Sequence, residues 1–235
     1  MSSKPSLLNR CIAEAIGTGA IVLFGCGAII LASQGQHSGS VIPLVFGLIV
    51  SAMIYALGHI SGAHFNPAVS FGFLVVRHFA FKDFLAYVAA QISGSLLAIL
   101  LLRVTFPASQ TYGATTPSVS PEIALVWECV LSFFLMLVIL SVATDTRAVG
   151  TMAGAAIGAM IMVGAFVGGP LTGGSMNPAR SLAPALIEGE ISALWIYIIG
   201  PVAGTAIAAL TYKRLAAINA TKIPGANPGE AAKSL

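Results

Sequence analysis

The 235-residue chain is poor in charge: 8% of its residues are charged, whereas 57% are hydrophobic. A soluble domain carries about 25% charged residues, so this chain has too little charge to cover a surface that faces water. The shortage predicts an integral membrane protein. The Lys and Arg residues form no stripe or cluster and the net charge is +3, so no nucleic-acid partner is predicted.

Cysteine is also scarce. The three cysteines, Cys11, Cys26 and Cys129, are odd in number and show no metal-ligand spacing, so packing residues are expected rather than a disulfide framework or a zinc site. The sequence shows no nucleophile–base pair, metal cluster or phosphate-binding loop, so no enzyme, cofactor or metal ion is predicted. His59 and His64 leave a metal pair open, but hydrogen bonds that orient this segment are the favoured interpretation.

What the chain does have is long apolar runs. Six of them are long enough to cross a bilayer, which takes about 20 helical residues, and they cover 7–33, 41–57, 84–106, 123–143, 151–167 and 191–212. Two shorter apolar stretches, 66–76 and 177–187, would each reach only ~16 Å as helices, about half of the ~30 Å hydrocarbon core. Each begins with Asn at the N-cap and Pro at the first helical position. These patterns predict an all-α membrane protein with six transmembrane helices and two re-entrant half-helices.

The chain contains an internal repeat within one domain, 1–235. Two ten-residue segments share a glycine-containing start and the triplet Asn-Pro-Ala: SGAHFNPAVS at 61–70 and TGGSMNPARS at 172–181. Their asparagines lie 111 positions apart, and two further pairs have similar offsets, Glu14/Glu128 at 114 and Gly94/Gly204 at 110. The halves, 8–106 and 122–213, contain three spans each, so the second must be inverted relative to the first, as in many transport proteins. The more polar tail, 216–235, is expected to be disordered.

The two half-helices should enter from opposite faces and meet near the midplane. Non-helical backbone at that depth requires a protein or water-filled surrounding, so the residues before each Asn-Pro-Ala are predicted to line a path with their backbone: Gly62, Ala63, His64, Gly173 and Ser175. The predicted central constriction consists of the two triplets, Asn66, Pro67, Ala68, Asn177, Pro178 and Ala179. Carbonyl acceptors, amide donors and two positive helix ends suit a narrow pore for small neutral hydrogen-bonding molecules.

Three charged residues are predicted at membrane depth. Arg180 is the basic residue placed well inside the bilayer, and such residues are usually functional, although a structural ion pair or a snorkelling side chain is the alternative. Glu14 and Glu128 are expected to accept hydrogen bonds from the backbone of the re-entrant segments. A proton-relay role would require a titratable partner along the path, and none is evident.

The positions of the basic residues predict the orientation. Apart from Arg103 and Arg180, every Lys and Arg falls in the N-terminal tail, in the 77–82 loop, in the loop containing Arg147 or in the C-terminal tail. The intervening loops contain none. Because basic residues favour the cytoplasmic side, we expect a multi-pass protein of the cell membrane, plasma or inner, with both termini cytoplasmic.

Paired Asn-Pro-Ala boxes, the second followed by Arg180, on an inverted six-span repeat closely resemble the aquaporin (major intrinsic protein) family over about residues 8–213. The resemblance implies a passive channel for water and small uncharged solutes that excludes protons and ions. It also implies a homotetramer in the lipid bilayer with one pore in each subunit. The aromatic/arginine selectivity filter of that family corresponds to Phe46, Ala165, Gly174 and Arg180.

The details resemble one branch of this family. Strict water channels usually carry His at the position of Ala165, and glycerol facilitators carry Asp and a basic residue at the positions of Ser181 and Ala185. The stretch GGPLTGGSMNPARS at 168–181 is most similar to nodulin-26-like channels and their bacterial relatives, which are associated with glycerol, urea and uncharged metalloid acids as well as water. The alternative is an ion-coupled secondary transporter, for which the only carboxylates at depth would be Glu14 and Glu128.

Overall fold

The computed structural model describes residues 5–144 and 150–222, with side chains as far as residue 216. These residues form helices and connecting loops, and no strand occurs among them. The helices are α1 Leu7–Ser33, α2 Val41–Ser61, α3 Pro67–Val75, α4 Phe81–Thr105, α5 Pro121–Ala143, α6 Ala153–Thr172, α7 Pro178–Glu188 and α8 Leu194–Lys222. A short 3₁₀ turn, Gly150–Met152, precedes α6.

Within the described ranges, six helices are long and apolar enough to span a membrane, which confirms the predicted count. Helices α2 and α6 extend beyond the C-terminal ends of the predicted apolar runs, because they continue until Gly62 (φ 88°) and Gly173 (φ 83°) adopt the left-handed conformation that commonly ends a helix. Helix α8 continues to Lys222, so the predicted disorder does not begin at residue 216. Residues 223–235 and the loop containing Arg147 lie outside the described part of the chain.

The two short helices begin as the sequence predicted. The Asn66 side-chain oxygen accepts from the backbone N–H groups of Ala68 (2.9 Å) and Val69 (3.4 Å), which caps α3. Asn177 caps α7 in the same way, and a proline follows each cap. With 9 and 11 residues, α3 and α7 are too short to cross a bilayer.

Glycines allow the long helices to approach each other closely at equivalent places in both halves. Where α4 packs against α1, a Cβ atom added to Gly94 would lie 2.0 Å from the carbonyl oxygen of Ala15. Where α8 packs against α5, a Cβ on Gly204 would lie 2.1 Å from the carbonyl oxygen of Cys129. The repeat therefore places the same close crossing in each half.

The outside of the bundle is apolar. Large aliphatic side chains such as Leu8, Leu97 and Val104 are between 68% and 80% exposed. In water so many exposed aliphatic side chains would be unfavourable, whereas in lipid they are not. The polar groups that remain inside are concentrated around the two half-helices, where they form the site.

Candidate functional site

The residues between each long helix and the following half-helix form two lead-ins, the first at 62–65 and the second at 173–176. Glu14 on α1 holds the first lead-in: its carboxylate accepts from the backbone N–H groups of His64 (3.0 Å) and Phe65 (2.6 Å). It also accepts from the Ser61 hydroxyl (2.7 Å) and the Gln91 amide (2.8 Å). The buried carboxylate thus satisfies backbone donors that would otherwise be unpaired at membrane depth.

Glu128 on α5 does the same for the second lead-in. Its carboxylate accepts from the backbone N–H groups of Ser175 (2.9 Å) and Met176 (2.8 Å) and from the Thr172 hydroxyl (2.7 Å). Glu14 and Glu128 are both fully buried, and neither lines the inner or the outer cavity described below. Their contacts are those of acceptors that hold the backbone rather than of groups along a path.

The two lead-ins share an unusual backbone conformation. Residues with φ in the left-handed region occur at matching positions: Gly62, Ala63 and Phe65 in the first lead-in and Gly173, Gly174 and Met176 in the second. For residues other than glycine this conformation costs about 1–2 kcal/mol each. The hydrogen bonds to the two glutamates act on these same segments and hold them in it.

The two asparagines connect the repeats to each other. The Asn66 Nδ2 group donates to the carbonyl of Met176 (2.7 Å), and the Asn177 Nδ2 group donates to the carbonyl of Phe65 (2.9 Å). Each asparagine therefore caps its own half-helix and binds the lead-in of the other repeat, and both line the inner cavity described next. The remaining residues of the triplets are buried and are not among the cavity-lining residues: Pro67, Ala68, Pro178 and Ala179.

Two cavities lie next to the lead-ins and the long helices. The inner cavity, of about 90 Å³, is lined by both asparagines and by four of the residues whose backbone was predicted to line a path: Gly62, Ala63, His64 and Ser175. The outer cavity, of about 460 Å³, includes the fifth, Gly173. Four residues line both cavities and so mark the boundary between them: Phe46, Ala165, Gly174 and Arg180. These are the four residues predicted for the selectivity filter.

Much of the remaining inner wall is apolar. It is built from aliphatic side chains of four different long helices, including Ile21, Val50, Leu135, Ile139 and Ile157. Nothing in the sequence distinguished these residues from the many aliphatic residues that face lipid, because both kinds lie in the same uninterrupted apolar runs. The cavity thus combines polar lead-in backbone with walls that offer few competing hydrogen bonds.

Arg180 is held at the boundary by two contacts. Its Nη1 group donates to the carbonyl of Gly113 (2.7 Å), and its guanidinium carbon lies 5.2 Å from the centre of the Phe46 ring. Among the described side chains no carboxylate lies within ion-pairing distance of Arg180, so the structural ion pair considered from the sequence does not form there. Gly113 was not predicted from the sequence, because it lies in the Ser/Thr/Pro-rich loop between α4 and α5 without a motif. Its φ of 85° distinguishes it only in the structure.

The two histidines do not come together as a metal site. His59 is exposed near the end of α2, while the His64 ring stacks on Phe73 (4.5 Å between ring centres) and its Nδ1 atom lies 3.0 Å from the Ser70 hydroxyl. No group of three or more potential metal ligands occurs within the described residues. His64 therefore orients the first lead-in through a hydrogen bond and ring packing.

Comparison with known proteins gives one consistent result. The model of the family described as "Major intrinsic protein" matches residues 1–212. Aquaporin NIP1-1 of Oryza sativa subsp. japonica is 45% identical over 208 residues, covering 87% of this chain and 73% of that protein. Nodulin-26 of Glycine max is 42% identical over 209 residues, covering 87% and 77%. Among solved structures, the aquaglyceroporin of Plasmodium falciparum matches with a TM-score of 0.82 and 25% identity, covering 89% of this chain and 97% of that one.

Proposed function

This chain belongs to the major intrinsic protein family and is a passive membrane channel, not an enzyme, for water and small solutes; from that premise we propose that it conducts uncharged solutes of the size of glycerol and urea as well as water. The metalloid acids belong to the same class of small, uncharged, hydroxyl-rich molecules and are included in the proposal. The selecting constriction is proposed to be the ring formed by Phe46, Ala165, Gly174 and Arg180.

One observation carries the proposal: these four residues line both cavities. Two of them, Ala165 and Gly174, place no side chain larger than a methyl group at the boundary. Phe46 supplies an apolar surface and Arg180 supplies hydrogen-bond donors. An opening with donors on one part of its wall and an apolar ring on another suits the two faces of a polyol, whose hydroxyls and carbon chain can each find a matching surface.

The direct test is stopped-flow light scattering of proteoliposomes that contain the purified chain. Shrinkage in an impermeant osmolyte measures water flux, and reswelling in glycerol or urea measures solute flux. We expect all three fluxes to exceed those of empty liposomes and to be independent of ion gradients. Solute uptake that stops when an ion gradient is collapsed would instead support the coupled-transporter alternative.

The constriction is tested by Ala165→His. The imidazole would narrow the boundary between the cavities, so we expect glycerol flux to fall more than water flux, because the larger solute meets the steric limit first. Ala165→Ser is the matched control, since it adds a polar group without an imidazole's bulk, and its glycerol-to-water ratio should stay near that of the parent. Unchanged glycerol permeability in Ala165→His would count against the assignment.

We also propose that the pore excludes protons and cations. Supporting this, the N-termini of α3 and α7 meet at the two asparagines, and each helix contributes roughly half a positive charge at that end. Arg180 adds a full positive charge at the outer boundary. Neither buried glutamate lines the inner cavity, so among the described residues no carboxylate there offers a cation a site beside the asparagines.

The placement of the chain in the cell is a further part of the proposal. The distribution of Lys and Arg supports cytoplasmic N- and C-termini in a plasma or inner membrane, and protease accessibility of tags at the two ends would test it. A homotetramer with one pore in each subunit is proposed from the family. Native mass spectrometry from detergent would test it, and a monomeric mass would contradict it.

A further inference from the structure

The loop between α4 and α5 is attached to the filter through Glu188, the last residue of α7. One carboxylate oxygen of Glu188, Oε1, accepts from the backbone N–H groups of Tyr112 (2.7 Å) and Ala114 (2.8 Å) and lies 3.4 Å from the Thr111 hydroxyl. The two amides flank Gly113, whose carbonyl accepts from Arg180. The carboxylate therefore holds the loop on both sides of the acceptor that binds the filter arginine.

One peptide group connects the two charged side chains. The C=O of Gly113 and the N–H of Ala114 belong to the same peptide unit; the first accepts from Arg180 at 2.7 Å and the second donates to Glu188 at 2.8 Å. Because a trans peptide is planar, its C=O and N–H point in opposite directions, so fixing the N–H also fixes the C=O. Both hydrogen bonds involve a charged group, which makes each of them stronger than a neutral one.

This peptide would otherwise have considerable freedom. Gly113 has φ of 85°, and glycine populates positive and negative φ with similar ease. Without an external constraint, rotation of the 113–114 peptide would turn its carbonyl away from Arg180. The hydrogen bond from Ala114 to Glu188 opposes that rotation.

We propose that Glu188 is a positioning residue of the selectivity filter: through the 113–114 peptide it keeps the Gly113 carbonyl directed at Arg180, and so keeps the guanidinium against the wall of the pore. This inference rests on the proposed function, because its consequence is a change of selectivity at the boundary between the cavities. Without Glu188, Arg180 loses a fixed acceptor and its side chain occupies more of the opening. A solute larger than water is then hindered more than water is.

Other contacts keep the loop in place when Glu188 is changed. The Thr115 hydroxyl donates to the hydroxyl of Ser181 on α7 (2.8 Å), and the Ser118 backbone N–H donates to the carbonyl of Leu171 (3.0 Å). A substitution at residue 188 should therefore alter the peptide locally and leave the channel folded. That makes a selectivity measurement interpretable.

Two substitutions separate the effect of the side-chain length of residue 188 from the effect of its charge. Glu188→Gln removes the charge but keeps an oxygen at the same distance, and one oxygen makes all three contacts. Glu188→Asp keeps the charge but is shorter by one methylene. Glu188→Ala removes both, and Glu190→Ala is the matched control, since Glu190 is an exposed acid two positions further along.

The assay is the glycerol-to-water permeability ratio in proteoliposomes, with hydrogen exchange of the 107–118 segment followed by mass spectrometry. We expect Glu188→Ala and Glu188→Asp to lower the ratio by about threefold to tenfold, the factor that loss of one hydrogen bond represents, and to speed exchange at Tyr112 and Ala114. Glu188→Gln keeps a neutral acceptor at the same distance and should lie between Glu188→Ala and the parent in both measurements, whereas Glu190→Ala should resemble the parent. Hydrogen exchange needs only folded protein in detergent, so it tests the hydrogen bonds between residue 188 and the loop even if a variant reconstitutes poorly.

Two results would overturn the inference. A ratio and an exchange pattern in Glu188→Ala equal to those of Glu190→Ala would show that the contact has no role. A normal Glu188→Asp with a defective Glu188→Gln would show that charge rather than reach matters. If either result is found while the parent chain conducts water and glycerol, the inference fails and the proposed function stands. A parent chain without facilitated flux would instead refute the proposed function.

Discussion

Replacing Gly94 with alanine tests whether the close crossing of α1 and α4 holds the site together. A Cβ atom at this position would lie 2.0 Å from the carbonyl oxygen and 2.7 Å from the carbonyl carbon of Ala15. Ordinary contact begins near 3.4 Å. The atoms in the way belong to helical backbone rather than to a flexible side chain, so α1 and α4 would have to separate by more than 1 Å. Glu14, which holds the first lead-in, lies next to Ala15.

The size of the effect follows from two opposing terms. Inserting a methyl group into a close-packed contact costs about 1–3 kcal/mol, and a rigid backbone neighbour favours the upper end of that range. Alanine in a helix is better than glycine by up to about 1 kcal/mol, which offsets part of the loss. The matched control is Gly27→Ala in α1, where the nearest atom, Cδ2 of Leu102 on α4, lies 3.6 Å from the added Cβ. Because the gain from alanine is common to both variants, it cancels between them, and we expect them to differ by about 1–3 kcal/mol in the free energy of unfolding, near the upper end.

The measurement is titration with sodium dodecyl sulphate in mild-detergent micelles, with loss of helix followed by circular dichroism. Gly94→Ala should unfold at a clearly lower fraction of the denaturing detergent than the parent, and Gly27→Ala at the same fraction or a slightly higher one. Equal midpoints for the two variants would refute the reasoning, because the same methyl group would then be tolerated at a 2.0 Å contact and at a 3.6 Å contact.

Two further predictions concern the charged residues at depth. Arg180→Val removes a fixed positive charge from the boundary of the cavities, so it should raise proton conductance at least about tenfold, the factor that ~1.4 kcal/mol of barrier represents. A pH-sensitive dye inside proteoliposomes measures the proton leak. Equal leaks in parent and variant would assign the barrier to the helix ends alone. Glu128→Ala leaves the backbone N–H groups of Ser175 and Met176 without an acceptor. It should lower the free energy of unfolding by about 2–6 kcal/mol, at about 1–3 kcal/mol for each buried unpaired group. The detergent titration described above tests this, and the control Glu190→Ala should unfold at the same midpoint as the parent.

The internal repeat could be recognised from the sequence because equivalent residues have the same structural role in both halves. Glu14 and Glu128 are 114 positions apart, close to the 111 of the boxes, and each accepts from two successive backbone N–H groups of its own lead-in. A buried carboxylate is rare in an apolar run, so both were visible against their surroundings. The half-helices were visible for a similar reason, since Asn-Pro followed by a short apolar stretch combines a helix start with a length that cannot span.

Other parts of the site carried no such signal. The aliphatic wall of the inner cavity, which includes Ile21 and Ile157, has the same composition as the surface that faces lipid. Gly113 and Glu188 lie 75 positions apart in a polar loop and at a helix end, with no shared motif. Glu188 binds the amides on either side of Gly113 because the loop folds back over α7. No pattern along the chain predicts this folding of the loop.

The sequence by itself determined the membrane class, the six spans, the two half-helices and the inverted relation of the halves, because each follows from local composition, helix length or repetition along the chain. Only the tertiary structure decided that each asparagine binds the lead-in of the other repeat and that the Arg180 side chain is held through a loop carbonyl. Those facts depend on groups far apart in sequence meeting within hydrogen-bond distance, and chain packing alone brings them there.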